Sequence, residues 1–186
     1  MIIRLDHCPP QRWKNGLGRT REVAVQPCAG GSGDFLWRVS IAEVDSAAPF
    51  STFPGIDRSI TLLDGDGFTM TLDEHRVHAL TTAFVPFAFA GEAAVAVTLA
   101  GGPTRDFNLM VQRSLARGEV LVWREAATHL LDPATVLVFC ARGEIDTADG
   151  RLHGGDAWRP ATVSRHPVTL RDGAVALVAR VESIAG

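Results

Sequence analysis

Short β-branched runs fill most of this chain. Segments such as "EVAV", "FLWRVSIAEV", "RSITLLDG", "FTMTL", "AVAVTL", "DFNLMVQRS", "GEVLVWRE", "TVLVFCARG" and "AVALVARV" are each closed within a few residues by Gly, Pro, Asp or Ser. Runs this short, rich in Val, Ile, Leu, Thr and Phe and punctuated this often, suit strands and are too brief for helices. No window of helical length carries a 3.6-residue apolar stripe with caps; only "DEHRV" and "LDPAT" suggest a helical turn. An all-β sandwich or barrel is therefore expected.

The pattern also repeats. "LLDGDGFTMTL", "HALTTAFVPFAF" and "GEAAVAVTL" in the first half match "FCARGEIDTADGRL", "LHGGDAWRP" and "RDGAVALVARV" in the second. Two antiparallel units of this kind bury their apolar faces most simply by stacking into one double-sheet roll. The second of them, "VFCARGEIDTADGRLHGGDAWRP", resembles the cupin signature, and the duplication resembles a bicupin. The resemblance implies a cupin-like double-stranded β-helix, or jelly roll, made of two repeats. We expect an N-terminal half over residues 1–112 and a C-terminal half over 113–186, packed as one compact unit.

Charge and composition narrow the function. A net charge of -3 over 186 residues gives none of the basic surface that nucleic acid requires. Pro9 and Pro10 interrupt the start before a secretory h-region can form, so a cytoplasmic protein is expected. The most apolar window is broken by Pro86, Gly91 and Glu92 and is not expected to span a membrane. Cys8, Cys28 and Cys140 are scattered without CxxC spacing and read as reduced thiols. Of the 18 basic residues only Lys14 is lysine, and it stands beside Asn15, one of two asparagines; the other is Asn108.

Lys14 and Asn15 belong to "WKNGLGRTREVAV". Together with "LWRVSIAEVDSAAPFSTFPGIDRSITLLDGDG", "PFAFAGE" and "GGPTRDFNLM", this block resembles the HutD/Ves family of small bacterial cupin-like proteins. In that family the first block carries three consecutive glycines; here the middle one is Leu17, so a changed turn is expected. The resemblance implies a part in histidine utilisation, as a regulator or metabolite-binding governor.

Several chemistries find no support. The region where cupin enzymes hold a metal contains no histidine, and the pair His75 and His78 lies in a polar turn, so neither metal nor other cofactor is expected. No G-x-S-x-G elbow occurs, and the cysteines lack basic neighbours. Lys14 precedes the glycines and a strand follows them, which is the wrong order for a phosphate-binding loop.

Polar residues on otherwise apolar strands remain. Alternation places Arg38, Ser40 and Ala42 opposite Trp37, Val39 and Ile41; Asp106, Asn108 and Met110 opposite Phe107, Leu109 and Val111; and Thr20, Glu22 and Ala24 opposite Arg21, Val23 and Val25. One reading is a solvated outer face with Arg–carboxylate pairs. The other is a pocket drawing on Lys14, Asn15, Thr20, Arg21, Glu22, Arg38, Ser40, Asp57, Arg58, Asp106 and Asn108, with Trp37, Phe50, Phe53 and Met110 as apolar lining. Arginine's planar fork suits a carboxylate. The loop "FSTFPGIDR" is expected to close over the ligand. The expected function is binding of a small carboxylate metabolite such as urocanate or a formylated glutamate. The alternative is a metal-independent isomerase or hydrolase with Glu22 or Asp106 as general base. A homodimer is compatible with either.

Overall fold

The computed structural model describes residues 1–13, 16–28, 35–161 and 165–184. Its first ten strands are β1 (Ile2–Ile3), β2 (Pro10–Arg12), β3 (Gly18–Pro27), β4 (Phe35–Val44), β5 (Ile56–Asp64), β6 (Phe68–Leu72), β7 (Arg76–Leu80), β8 (Phe87–Ala90), β9 (Val95–Leu99) and β10 (Thr104–Gln112). The rest are β11 (Ala116–Trp123), β12 (Thr128–Leu130), β13 (Thr135–Arg142), β14 (Glu144–Thr147), β15 (Gly150–His153), β16 (Ala157–Trp158), β17 (Pro167–Leu170) and β18 (Val175–Ser183). The expected all-β class holds. Among the described residues the one helical element is a 3-10 turn at Leu5–His7, and no helix is long and apolar enough to cross a membrane. Neither suspected helical turn forms: Asp73 and Glu74 take positive φ in a tight β6–β7 hairpin, and Asp132 accepts from the Ala134 and Thr135 amides in a turn before β13.

The chain forms two compact units. One joins Met1–Cys8 to Gly118–Ser183, because β1 pairs with β16; the other runs over Pro9–Arg117 and takes in Ile184. Within the first, the sheets β1-β16-β13-β18-β11 and β12-β17-β14-β15 share a core of Val138, Ile145, Leu152, Trp158, Val168 and Val178. Within the second, β2-β3-β4-β10-β5-β8 and β7-β6-β9 enclose Val44, Ile60, Leu62, Phe68, Met70 and Phe87. Each is a double-sheet antiparallel roll. The repeat read from the sequence matches the fold in part: β5 and β6 correspond to β13 and β14, but "AVAVTL" forms β9, paired with β6, whereas "AVALVARV" forms β18, paired with β13 as β10 is with β5. We therefore describe the chain as a cupin-like jelly roll with two repeats.

The register of β10 positions everything that follows. It pairs antiparallel with β4 on one side and β5 on the other, so side chains on one face line up in rows across the sheet. One row reads Glu22, Ser40, Asn108, Ile60; the next reads Arg38, Met110, Arg58. The opposite face carries Trp37, Val39, Ile41, Phe107, Leu109 and Val111, all buried. Over residues 37–42 of β4 and 106–111 of β10 neither face is a solvated surface, whereas Glu43 and Arg105 at the strand ends carry the Arg–carboxylate pairs that alternation allowed.

Asp106 stands one row further along, between Ala42 and Leu62, and is 0% exposed. Its Oδ2 accepts from the Thr104 hydroxyl at 3.4 Å, while Oδ1 has no partner. Burial, opposed by that hydroxyl and aided by the Asp64 carboxylate, pushes its pKa up to about 8. The folded chain thus holds this proton where the unfolded chain has released it. The corresponding stability is present in full below pH ~4 and falls away as pH rises toward about 8. Asp106→Asn should flatten that decline, raising the melting temperature at pH 8 relative to the parent and changing it little at pH 4, as differential scanning calorimetry across pH would record. Phe107→Ala, at a fully buried site on the central strand, should cost about 3–5 kcal/mol in urea unfolding. Val77→Ala, at an exposed site, should stay within about 0.5 kcal/mol.

Candidate functional site

A cavity of about 470 Å³ opens on the six-stranded sheet of the Pro9–Arg117 unit. β3 supplies Thr20 and Glu22, β4 supplies Arg38, Ser40 and Ala42, and β10 supplies Asn108 and Met110. Arg58 comes from β5, Gln11 and Arg12 from the edge strand β2, and Pro49, Phe50, Ser51 and Phe53 from the segment before β5. The cross-strand rows place Arg38 and Arg58 on either side of Met110, two strand spacings or about 10 Å apart at the backbone.

Arg58 is the most unusual group in the wall. It is 8% exposed, and its guanidinium lies 5.3, 5.5 and 4.9 Å from the ring centroids of Phe50, Phe53 and Phe89, within cation–π range of all three. Nη2 donates to Asn108 Oδ1 at 3.3 Å and Nη1 to the Ser51 carbonyl at 3.4 Å. Both acceptors are neutral. Among the described residues neither Arg58 nor Arg38 forms an ion pair, and the buried Nε of each has no hydrogen-bond partner. Burial, reinforced by the like charge of Arg38, pulls the Arg58 pKa down to about 10. The site therefore presents a dry guanidinium still charged at neutral pH, with an unused donor and no counter-ion among the described residues, an arrangement with the donors and charge to accept an anion.

The turn at the cavity's edge is set by three residues. The Trp13 amide donates to the Gly18 carbonyl, the Gly16 amide donates to Trp13, and Trp13 Nε1 donates to Thr20 Oγ1 at 2.8 Å. Gly16 takes φ +72°, and a Cβ on Gly18 would stand 2.9 Å from the Trp13 ring and 2.7 Å from the Glu43 carbonyl. Leu17 lies between these two demanding positions with no positive φ, its carbonyl accepting from the Asp45 and Ser46 amides. The turn tolerates a side chain there because the left-handed conformation falls on Gly16.

Of the residues singled out from the sequence, Thr20, Glu22, Arg38, Ser40, Arg58 and Asn108 meet in this cavity. Lys14 and Asn15 lie outside the described residues. Arg21 does not belong to the wall: it pairs with Ile41 on the opposite face, and its Nε donates to Glu43 Oε1 at 3.0 Å. Asp57 likewise faces away, in the row of Val111, where it binds Arg113. Asp106 shares the cavity face but sits beyond the wall. Ala24 leaves the face of Glu22 because a bulge between Glu22 and Ala24 shifts the register, so it pairs with Val39 instead. Trp37, expected as lining, is buried on the other face; Phe50, Phe53 and Met110 are placed as expected. Sequence reasoning passed over Gln11, Arg12 and Trp13, which had no strand pattern to place them, and Phe89, whose alternation with exposed Ala88 and Ala90 was the available signal.

No group of three or more His, Cys, Asp or Glu side chains suited to a metal ion occurs among the described residues. His78 stacks on Phe87 with ring centroids 3.6 Å apart, and burial, followed by the Arg76 charge, lowers its pKa. The buried Cys140 thiol is pushed up to about 12, chiefly by desolvation, and is inert as a nucleophile near neutral pH.

The HutD family model matches residues 6–177. An uncharacterised 21.2 kDa protein from the hutC 3' region of Pseudomonas putida is 39% identical over 150 residues, 79% of this chain and 76% of its own length. Protein Ves of Citrobacter koseri is 39% identical over 61% of this chain and 59% of that protein. Among solved structures, HutD from Pseudomonas fluorescens SBW25, determined in a formate condition, superposes with a TM-score of 0.86 at 27% identity, covering 100% of this chain and 99% of that one. A cupin 2 conserved barrel protein from Leptotrichia buccalis matches at TM-score 0.62 and 10% identity, over 98% of this chain and 96% of that one, a likeness of fold. With a family model spanning nearly the whole sequence over a two-repeat cupin roll, the chain belongs to the HutD family.

Proposed function

We propose that this protein binds a small carboxylate metabolite in the cavity over β3, β4, β10 and β5, and that it serves histidine utilisation as a regulator sensing urocanate or a formylglutamate-like compound. The observation that carries this reading is the Arg58 guanidinium, buried among three phenylalanines with a free Nε and Arg38 facing the same space. A carboxylate seated there offsets one of the two like charges, relieves their repulsion and takes up unused donors. Each such charge-assisted bond contributes about 1.5–3 kcal/mol. The rim offers Glu22 and Ser40 to a second polar group. The placing of a relative in the hutC region points to the pathway.

Isothermal calorimetry with urocanate, N-formylglutamate and, as a control lacking a carboxylate, imidazole tests the reading. The carboxylates should bind and imidazole should not. Arg38→Ala should weaken binding about 10- to 100-fold. Arg58→Met should abolish it while raising the melting temperature of the ligand-free protein, since it removes a buried charge that has no counter-charge among the described residues. The reading is wrong if no carboxylate binds, or if binding survives Arg58→Met unchanged. Turnover of a bound carboxylate that disappears in Glu22→Gln would instead assign the cavity to an enzyme.

A further inference from the structure

Two of the three rings around Arg58, and the carbonyl that accepts from its Nη1, come from a single segment, Phe50 to Phe53. That segment has no strand pairing of its own, so its position depends on what holds its ends. At the near end, the Phe50 amide donates to the Val95 carbonyl at 3.0 Å. At the far end, Phe53-Pro54-Gly55-Ile56 makes a tight turn with Gly55 at φ +78°, closed by the Ile56 amide on the Phe53 carbonyl. This turn is laced to Gly91: the Phe53 amide donates to the Gly91 carbonyl and the Gly91 amide to the Ile56 carbonyl, both at 2.7 Å. A Cβ at Gly91 would stand 2.6 Å from the Phe53 carbonyl, so the approach requires glycine.

Arg113, just past the end of β10 and outside the cavity wall, ties the same turn from the other side. Its amide donates to the Gly55 carbonyl at 2.9 Å, and Nη2 donates to the Ile56 carbonyl at 3.2 Å. Nε donates to Asp57 Oδ1 at 2.6 Å, and the two terminal nitrogens grip both oxygens of Glu92, at 2.7 and 2.9 Å. One side chain thereby joins the turn, the start of β5 and the β8–β9 connection. The fork holds the Glu92 carboxyl down at about 2, mainly through the Arg113 hydrogen bonds, so the strap stays charged across the physiological range.

We propose that Arg113 is a positioning residue of the anion site: its strap to Asp57 and Glu92 fixes the segment that carries Phe50, Ser51 and Phe53 and so sets the aromatic enclosure of Arg58. The proposal rests on the reading of the cavity given above. Arg113, Asp57 and Glu92 are all partly exposed, and pairs of that kind add little to global stability. Their effect is local, which separates positioning from general support of the fold.

Arg113→Met, Arg113→Lys, Glu92→Gln and the double variant Arg113→Met/Glu92→Gln are compared with the parent in two measurements: amide hydrogen exchange, and urocanate affinity by calorimetry. Arg113→Met should speed exchange of the Phe53 amide about tenfold, leave the β10 core amides unchanged and weaken urocanate binding about tenfold. Arg113→Lys, which lacks the planar fork, should fall between it and the parent. The double variant should bind no worse than Arg113→Met, because both changes cut the same strap. Parent-like exchange at Phe53 in Arg113→Met overturns the proposal, as does parent-like affinity. If the unsubstituted protein fails to bind urocanate, the functional reading fails and the Phe53 exchange rate alone decides the strap.

Discussion

The pairing of β10 with both β4 and β5 is the constraint on which the site depends. Because side chains alternate along a strand, this double register determines that Ser40 and Asn108 stand side by side and that Arg38 and Arg58 flank Met110. A slip of one residue on either side would send an arginine to the apolar face of Trp37, Val39 and Leu109. The buried face opposite the cavity opposes such a slip: Phe107, Leu109 and Val111 have no polar alternative to occupy. The core thus fixes the chemistry by fixing which face each polar group must take.

Within that grid, the two arginines set the electrostatic character of the cavity. A buried ion is ordinarily tolerated only with a counter-charge close by. Here the nearest acceptors of Arg58 are an amide oxygen and a backbone carbonyl, and the face of each surrounding ring offers only quadrupolar attraction. Most nearby carboxylates are committed elsewhere: Glu43 to Arg21 and Arg19, Asp57 and Glu92 to Arg113, Asp64 to Arg105. Glu22 shares the cavity wall but forms no ion pair with either arginine. The outer arginines are neutralised locally, while Arg38 and Arg58 in the cavity are not.

Much of this was legible in the sequence because it depends on local pattern. The strands announced themselves through β-branched runs and turn residues, and simple alternation was enough to put Arg38, Ser40, Asn108 and Met110 on one face. The same rule misplaced Ala24, because a bulge changes the count without leaving a mark in composition. Arg21 and Asp57 have the charges suited to an arginine–carboxylate pocket, yet alternation turns each to the face opposite its neighbour Glu22 or Arg58. Asp106 shares the parity of Asn108, and only the third dimension places it beyond the wall. Trp13 carried no periodic signal; its role comes from packing over Gly18, a contact that no spacing rule encodes.

The bulge in β3 has a consequence for how such a chain can vary. Upstream of it, Gly18 to Glu22 run in strict register with β4 and deliver Thr20 and Glu22 to the cavity; downstream, the strand is offset by one and leads away toward the connection before β4. The two stretches pair with β4 in different registers. Residues gained or lost after Val25 can be absorbed without rotating Thr20 or Glu22 out of place, whereas a single insertion between Gly18 and Glu22 would turn the wall inside out. Length variation among related chains should therefore gather on the far side of the bulge, leaving the near side constant in length even where its sequence drifts.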